Sequence, residues 1–342
     1  MTYHNFYHKK KILVTGGVGS IGSRLVKKLL EFDPKIIRVF DNNETGLFDL
    51  AEELNSTKIR TLIGDIRDKD RLITAMDGID IVFHTSALKH VPLCDYNPFD
   101  AVKTNVLGTQ NVLEAALLNE VEKVINISTD KAVSPTNVMG ATKLLAERLT
   151  ISANYYRGSK RTVFSSVRFG NVLNSRGSVI PVFKKQIQNG GPVTITDNKM
   201  TRFFMDIPSA VNLILTAGEI AKGREIFIFR MPSLKIVDLA RVLIEEYAPV
   251  SGYKPEDIAL QVIGKRSGEK LYEDLMADEE TDRAYERDDM LMIVPHTLSY
   301  ETPLDPAMTK GFTKVKRGNF SSKDVHLMNR EEIRSMIRNL EE

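Results

Sequence analysis

Side chains able to transfer protons stand together at Thr129, Asp130 and Lys131, at the end of the candidate strand Val121–Thr129. A carboxyl beside an amine could supply a general acid and a general base, and the hydroxyl could donate or accept a hydrogen bond. Taken alone, the same residues would equally describe a surface ion pair at the end of a strand. The elements that carry them decide between these two interpretations.

The first half of the chain alternates short β-branched runs with longer segments whose apolar residues lie three and four apart. We predict strands at Lys11–Thr15, Lys35–Asp41, Ile59–Asp65, Ile79–Thr85, Val121–Thr129 and Arg161–Gly170. We predict helices at Gly22–Glu31, Asp100–Leu118 and Gly140–Tyr156. This alternation indicates an α/β fold with a Rossmann-type, doubly wound parallel sheet. The carboxyl ends of such strands face the ligand crevice, so Thr129–Lys131 would emerge there.

A glycine loop follows the first predicted strand, with Gly16, Gly19 and Gly22 spaced G-x-x-G-x-x-G. Glycines let the backbone approach a pyrophosphate, whose charge the following helix N-terminus stabilises. Asp41 ends the second strand, where a carboxylate can bind the ribose 2′-hydroxyl of NAD. Asn42 could accommodate either NAD or NADP, so NADP stays possible. The alternative is a structural glycine turn with a solvated Asp41.

The regular alternation of predicted strands and helices ends after Gly170, where turn-forming residues replace the long helices. We predict a dinucleotide-binding domain at 1–173, to which 205–232 returns with a last strand at Glu225–Arg230. A smaller, discontinuous α/β substrate domain is predicted at 174–204 and 233–300, followed by a C-terminal extension at 301–342. Asn329 is predicted to cap a helix at Arg330–Leu340.

Composition excludes several classes of protein. The 342 residues are 42% hydrophobic, which suffices for a packed core, but no run reaches the roughly 18 apolar residues of a membrane span. The first residues show no export signal, and the lone Cys94 fits a reducing cytoplasm. A net charge of +2, no Trp and no basic–aromatic stripe argue against nucleic-acid binding. We predict no metal site.

Met139 and Lys143 lie four residues apart on one predicted helix face. They occupy the place of the Tyr-x-x-x-Lys signature of the extended short-chain dehydrogenase/reductase superfamily, which the chain resembles. Met in place of Tyr resembles the CapD-type polysaccharide-biosynthesis proteins, the UDP-N-acetylglucosamine 4,6-dehydratase family. Tyr156 and Lys160 also match the signature, but at the far end of the helix. The resemblance runs from about residue 10 to about 340, through Pro135–Lys143, His84–Pro92, Tyr96–Pro98, Lys103–Val106, Arg168–Phe183, Thr194–Phe204 and Met231–Leu239.

This resemblance implies a reaction in which a tightly bound NAD takes a hydride from sugar C4, water leaves from C5–C6, and the hydride returns to C6. By resemblance, Asp130 protonates the leaving hydroxyl, Lys131 takes the C5 proton and Thr129 binds the C4 oxygen. Lys143 holds the nicotinamide ribose. Met139 cannot accept the C4 hydroxyl proton, so Asp130, a water relayed by Thr129, or Lys143 must replace the tyrosine.

The resemblance also implies the binding residues. Those for the cofactor are Gly16, Gly19, Ser20, Ile21, Gly22, Asp41, Asn42, Asp65, Ile66, Ala87, Lys89, Asn105 and Lys143. Those for the substrate are Lys89, His90, Asn171, Ser178, Val179, Thr194, Thr196, Met200, Arg202, Arg266 and Glu269. The last two lie in Gly264–Leu271, which resembles the family's Gly-x-Arg-Pro-Gly-Glu-Lys-Leu with Ser267 for Pro.

The implied partners are a UDP-linked N-acetyl sugar, with a GDP sugar left open, and further copies of the chain in a dimer or hexamer. Pro135–Lys143 is closer to the members that retain the C5 configuration. Two alternatives remain. A nucleotide-sugar 4-epimerase would not need the elimination pair Asp130–Lys131 and would normally keep the tyrosine. A non-catalytic NAD-binding module would not need Thr129, Asp130, Lys131 and Lys143.

Overall fold

The computed structural model describes residues 4–288, 290–295, 306–316, 318 and 320–338. Its strands are β1 Lys11–Thr15, β2 Ile36–Asp41, β3 Ile59–Ile63, β4 Ile81–His84, β5 Lys123–Thr129, β6 Val163–Phe169, β7 Asn171–Val172, β8 Val193–Ile195, β9 Thr201–Met205, β10 Ile226–Phe229, β11 Ser233–Lys235, β12 Leu260–Val262, β13 Ala284–Arg287, β14 Met290–Ile293 and β15 Thr313–Lys314. Its α-helices are α1 His4–Tyr7, α2 Ser20–Leu30, α3 Glu44–Leu54, α4 Lys69–Met76, α5 Val91–Tyr96, α6 Pro98–Ala101, α7 Thr109–Leu118, α8 Val138–Ala153, α9 Val179–Gln188, α10 Ile207–Ile220, α11 Ile236–Tyr247, α12 Asp278–Thr281 and α13 Arg330–Arg338. None of these helices is long and apolar enough to cross a membrane.

The main sheet has the strand order β3-β2-β1-β4-β5-β6-β10-β14-β13-β15 among the described residues. The strands from β3 to β10 pair in parallel, and the last three pair antiparallel. From β1 the chain adds β2 and β3 on one side and then β4, β5 and β6 on the other. This change of side makes the sheet doubly wound, with a crevice at its carboxyl edge. The predicted fold class is confirmed. Thr15 pairs with His84 at this edge, and Thr129 pairs with Phe169.

Helices cover both faces of the sheet, as the continuous apolar strands require. Leu25 of α2 and Ile214 of α10 belong to the buried cluster on one face. Leu72 of α4 and Val112 of α7 belong to the cluster on the other. A third cluster, in which Phe183 of α9 packs with residues of α11 and α13, forms the core of a smaller lobe.

The smaller lobe carries the short pairs β8–β12 and β9–β11, and β9 also pairs with β7. The predicted return strand is present as β10, parallel to β6. The segment 233–300, predicted to lie in the substrate domain, contributes β13 and β14 to the main sheet, because β14 completes the open edge of β10. The domain boundaries as a whole remain a prediction.

Two predicted helices differ in detail. The segment predicted as one helix from Asp100 to Leu118 contains a π-helix at Val102–Gly108, between α6 and α7. Tyr156 lies beyond the end of α8 and is 81% exposed, and Lys160 donates to Leu117 O. Asn329 caps α13 by accepting from Glu332 N at 3.0 Å. The predicted end of that helix at Leu340 falls outside the described residues.

Candidate active site

The glycine loop joins β1 to α2 where side chains would not fit. Gly16 has a φ of +66°, and a Cβ there would lie 2.7 Å from Ser86 N. A Cβ on Gly22 would lie 2.2 Å from Gly16 O, so glycine lets α2 pack against the loop. Gly19 precedes α2 without a side-chain cap. The N–H groups of Ser20 and those that follow it are therefore oriented to receive an anion such as a pyrophosphate.

A cavity of about 420 Å³ adjoins this loop, a size that suits part of a dinucleotide. Asp41 stands at its wall, where its Oδ2 accepts from Val18 N at 3.2 Å and its Oδ1 from Asn43 N at 3.0 Å. These bonds fix the carboxylate in one orientation. The predicted cofactor residues that line the cavity are Gly16, Gly19, Asp41, Asn42, Asp65, Ile66 and Ala87.

Arg67 lines the same cavity and is absent from the cofactor residues predicted from the sequence. Its Nη2 lies 2.6 Å from Asp65 Oδ2, and this hydrogen bond lowers the pKa of Asp65 below its usual value. The spacing Asp-x-Arg after a strand was the available signal. Arg67 brings a cation to the end of the cavity that holds Asp41 and Asp65.

Asn105 organises the segment after β4 from within the π-helix. Its Oδ1 accepts from Leu88 N at 2.8 Å, and its Nδ2 donates to Leu88 O at 2.9 Å and to Thr142 Oγ1 at 3.0 Å. Both polar atoms of this buried amide are thus used within the protein. The structure places Asn105 as the support of the loop that carries Ala87 and Lys89.

A second loop, which contains Arg176 and Gly177, contacts the start of α2 next to the glycine loop. Arg176 N donates to Ser20 Oγ at 3.1 Å, and a Cβ on Gly177 would lie 2.5 Å from His90 Cε1. Lys89 and His90 are exposed at this junction. The structure therefore brings the predicted sugar-contacting residues beside the N-terminus of α2.

Ser178 and Val179 stand at the N-terminus of α9, as the N-cap residue and the first helical residue. Ser178 Oγ is buried and has no hydrogen-bond partner among the described residues. A helix N-terminus together with an unpartnered hydroxyl suits a phosphate. This geometry is compatible with the predicted diphosphate contact.

Thr129, Asp130 and Lys131 form one connected unit at the carboxyl end of β5. Thr129 Oγ1 donates to Asp130 Oδ1 at 2.9 Å, and Lys131 Nζ donates to the same oxygen at 2.9 Å. Lys131 Nζ also reaches Asn171 Oδ1 at 3.3 Å. The Asp130 side chain is fully buried, whereas the Lys131 side chain is 20% exposed. The buried Asp130 carboxyl is therefore in direct contact with both Thr129 and Lys131.

Lys143 lies beneath this unit, buried in α8. Its ammonium donates to Ile127 O, and burial lowers its pKa to about 8. His84 is fully buried between Thr15 Oγ1 and Thr109 Oγ1, and burial, with the charge of Lys143, lowers its pKa to about 3. His84 is thus a neutral structural residue.

Met139 packs in a small apolar cluster with Cys94 and Ala101. Its side chain is buried against α5 and α6 and presents no polar atom that could take a proton. Cys94 is buried in the same cluster, in agreement with a packing role.

The loop 264–271 of the smaller lobe docks beside the segment 131–136 that follows β5. Gly268 O accepts from Thr136 Oγ1 at 2.7 Å, and Lys270 Nζ donates to Val133 O at 2.8 Å. Glu269 Oε2 accepts from Arg266 N at 3.1 Å within this loop. The predicted nucleotide contacts are therefore held next to the loop that follows Lys131.

The other predicted contacts of the smaller lobe bond mainly among themselves. Thr194 Oγ1 accepts from Gln186 Nε2 at 2.8 Å, and Thr196 Oγ1 lies 3.4 Å from the sulfur of the buried Met200. Arg202 is largely buried, and its guanidinium donates to Thr201 O, Leu271 O and Lys270 O. Arg202 thus fixes the loop 264–271 against β9, and its contact with substrate remains a prediction.

A buried charge network supports β5, the strand that ends at Thr129. Arg168 Nη2 lies 2.6 Å from Glu147 Oε1, and Arg168 Nη1 lies 2.8 Å from Glu280 Oε2. Ser128 Oγ donates to Glu147 Oε2 at 2.7 Å. Burial alone would raise the pKa of Glu280, but the charge of Arg168 and its hydrogen bond bring that pKa below its usual value. This network ties β5, β6 and α8 to α12.

Comparison with known proteins agrees with this arrangement. A family profile described as "Polysaccharide biosynthesis protein" matches residues 12–295. An uncharacterised membrane protein of Methanocaldococcus jannaschii is 58% identical over 336 residues, 98% of this chain and 97% of that protein. A crystal structure of Pen from Bacillus thuringiensis is 45% identical with a TM-score of 0.90, covering 98% of each chain.

Relatives with named activities fall into two groups. A UDP-N-acetylglucosamine 4,6-dehydratase (inverting) of Campylobacter jejuni is 43% identical over 291 residues, 84% of each chain. A UDP-glucose 4-epimerase of Rickettsia felis is 40% identical over 344 residues, 97% of this chain and 96% of that one. The capsular polysaccharide biosynthesis protein CapD of Staphylococcus aureus is 48% identical over 275 residues, which are 78% of this chain but 45% of CapD. The chain belongs to the polysaccharide biosynthesis protein family, as its resemblance to the CapD-type polysaccharide-biosynthesis proteins predicts.

Proposed function

We propose that this protein is a nucleotide-sugar 4,6-dehydratase, a lyase that converts UDP-N-acetylglucosamine to UDP-2-acetamido-2,6-dideoxy-hexos-4-ulose for surface polysaccharide or glycan biosynthesis. The observation that carries the proposal is the pair Asp130–Lys131, joined by a 2.9 Å hydrogen bond at the carboxyl end of β5. An acid and a base in contact are what an elimination of water needs. The name of the Campylobacter jejuni relative supports the same reaction.

NAD is the proposed cofactor, with NADP as the alternative. The glycine loop leaves no room for a Cβ at Gly16 or Gly22, and Asp41 is oriented at the adjoining cavity to bind a ribose hydroxyl. A carboxylate there disfavours a 2′-phosphate, whereas the nearby Arg67 would accept one. When bound, the nicotinamide would supply the acceptor for the C4 hydride and its donor to C6, so that the cofactor stays bound and is regenerated.

The chain's own residues move the protons. The C5–H bond breaks toward Lys131, the resulting electron pair forms the C5–C6 double bond, and the C6–O bond breaks. The leaving hydroxide becomes water with the proton of Asp130, which reaches the crevice through Thr129 Oγ1. Lys131 then returns its proton to C5.

The proton of the C4 hydroxyl needs a separate acceptor, because Met139 is buried among apolar side chains. Asp130, a water relayed by Thr129, and Lys143 remain the candidates. Lys143 has a pKa of about 8 as a result of its burial, so it can hold either protonation state near neutral pH. Its proposed contact is with the nicotinamide ribose.

A 4-epimerase is the second candidate, favoured by the Rickettsia felis relative. An epimerase would need the same hydride transfer at C4 but no proton transfer at C5. The buried Asp130 in contact with Lys131 favours the dehydratase. A non-catalytic NAD-binding module would not need the hydrogen-bonded group of Thr129, Asp130 and Lys131.

We also propose that the protein is a cytoplasmic homo-oligomer, a dimer or a hexamer. Its single cysteine supports the location. Leu93, Tyr96 and Phe99 of α5 and α6 are large, apolar and more than half exposed, which supports burial by another copy. Sedimentation of the wild-type protein and of a Phe99→Glu variant tests this assembly, and a wild-type monomer at micromolar concentration would contradict it.

Incubation with UDP-N-acetylglucosamine in heavy water tests the proposed function. A dehydratase yields a 4-keto-6-deoxy product with deuterium at C5. An epimerase yields unlabelled UDP-N-acetylgalactosamine, and an inert module leaves the sugar unchanged. Absence of a keto product from both UDP- and GDP-linked N-acetyl sugars would refute the proposal. The same NMR spectrum gives the C5 configuration, which the sequence predicts to be retained and which the name of the Campylobacter relative gives as inverted.

A further inference from the structure

The loop 264–271 carries the predicted nucleotide contacts Arg266 and Glu269. Residues 264–267 are exposed, and Gly268 is the first residue of the loop that is partly covered. Gly268 O accepts two hydrogen bonds, from Thr136 Oγ1 at 2.7 Å and from Asn137 Nδ2 at 3.1 Å. A carbonyl that stands between the two predicted nucleotide contacts therefore joins this loop to the segment that precedes α8.

The close approach of the two segments depends on a glycine. Gly268 has a φ of +70°, and a Cβ there would lie 2.9 Å from Thr136 O and 3.0 Å from Asn137 Cβ. Both the left-handed backbone and the absence of a side chain are therefore required at this position. Lys270 Nζ adds a second attachment by donating to Val133 O at 2.8 Å. The loop thus has one defined position against the segment 133–137.

Asn137 connects the same loop to the start of α8 and to Lys131. Its Oδ1 accepts from Gly140 N at 2.8 Å, so one amide both caps α8 and holds the loop. A Cβ on Gly140 would lie 2.3 Å from Lys131 O, because the first turn of α8 packs directly on the backbone of Lys131. Contacts through Asn137 and Gly140 therefore link Gly268 to the proposed base of the elimination.

We propose that Thr136 and Asn137 are positioning residues, which hold the loop 264–271 in the position that binds the nucleotide of the substrate. This inference rests on the proposed dehydratase function. Without the two donors the loop occupies that position for a smaller fraction of the time, and the apparent affinity for the nucleotide falls by the same fraction. The chemical step is expected to change little, because neither side chain is among the reacting groups.

The test is calorimetric titration with UDP, or with GDP if only GDP binds, together with KM and kcat for 4-keto product formation. Thr136→Val removes one donor, so we expect the Kd for the nucleotide and the KM to rise about three- to tenfold. Asn137→Asp keeps the oxygen that caps α8 but places a second oxygen against Gly268 O, so we expect a rise of at least about tenfold. The kcat and the Kd for NAD should stay near their wild-type values, a division that a general loss of folding would not produce.

Two control variants separate docking of the loop from other effects. Asn329→Asp makes the same exchange at the N-terminus of α13, where Asn329 Oδ1 accepts from Glu332 N at 3.0 Å. We expect this variant to leave the Kd for the nucleotide and the KM unchanged. Thr136→Ser keeps the hydroxyl that donates to Gly268 O, and we expect it to bind the nucleotide as tightly as wild type.

The outcomes distinguish this inference from the proposed function. If Thr136→Val and Asn137→Asp bind the nucleotide as tightly as wild type, the inference alone is overturned. If wild type binds the nucleotide but forms no keto product, the proposed function fails, and the titrations still decide whether Gly268 docks the loop for binding. A wild type that binds neither UDP nor GDP would overturn both.

Discussion

Gly22→Ala sets two opposing effects against each other. Gly22 lies within α2, where replacement of Gly by Ala favours the helix by up to about 1 kcal/mol. Against this, the new Cβ would lie 2.2 Å from Gly16 O and 2.8 Å from Gly17 Cα, whereas real Cβ atoms stay at least 3.0 Å away. Both obstacles are backbone atoms, which cannot rotate away.

The clash is the larger effect. Relief requires α2 or the glycine loop to move by about 0.8 Å, and such overpacking typically costs about 1–3 kcal/mol. We therefore expect a net loss of about 1–2 kcal/mol in the free energy of unfolding. The same displacement moves the N-terminal N–H groups of α2 from the pyrophosphate, so we expect the Kd for NAD to rise at least about tenfold.

Two assays read these effects separately. Urea denaturation of the apo protein gives the stability, and calorimetric titration with NAD gives the affinity. Gly318→Ala is the control, because its nearest contact would be 3.7 Å away at Lys316 O and neither quantity should change. A Gly22→Ala protein that is more stable than wild type and binds NAD within twofold would refute the packing role of this glycine.

Three further predictions concern buried charges. Lys143→Met should abolish activity yet stabilise the apo protein at pH 7 by up to about 3 kcal/mol. The folded-state pKa of Lys143, about 8, lies below the ordinary 10.5, so the folded protein bears the full cost of the buried charge below pH 8. Urea titrations should show the gain fading as the pH rises to 10.5. His84 should destabilise the wild type by up to about 5 kcal/mol as the pH falls from 6.5 toward 3, because the unfolded chain binds a proton at His84 before the folded protein does. If the melting temperatures of His84→Asn and of the wild type fell equally with acid, this prediction would be wrong. Arg168→Met should cost about 3–5 kcal/mol in urea, since it strands Glu147 and Glu280 as buried charges; a loss below 1 kcal/mol would show that the network is dispensable.

The parts of the molecule that are local in sequence could be predicted. The glycine loop lies between adjacent strand and helix patterns, and Thr129–Lys131 ends a run whose burial its apolar residues indicate. Their position at one edge of the sheet follows from the parallel topology. The capping of α13 by Asn329 is similarly local.

Contacts between segments that are far apart in sequence could not be predicted in the same way. The loop 264–271 docks on Thr136, and the C-terminal Ser322 fixes the backbone of Glu273, through contacts that no local pattern indicates. Lys131 can be placed from one strand, whereas these contacts join three segments that are far apart in sequence. The antiparallel addition of β14 to β10 is also non-local, because a short apolar strand does not specify which open edge it joins.

The central claim is that one hydride leaves C4 and returns to C6 of the same sugar within a turnover. The direct measurement uses a mixture of UDP-N-acetylglucosamine labelled with deuterium at C4 and unlabelled substrate carrying ¹³C, analysed by mass spectrometry and NMR after conversion. Return of the hydride within one turnover predicts deuterium at C6 of the keto product, confined to molecules without ¹³C. Deuterium in the ¹³C-labelled product, or its loss to solvent or to released cofactor, would contradict the account.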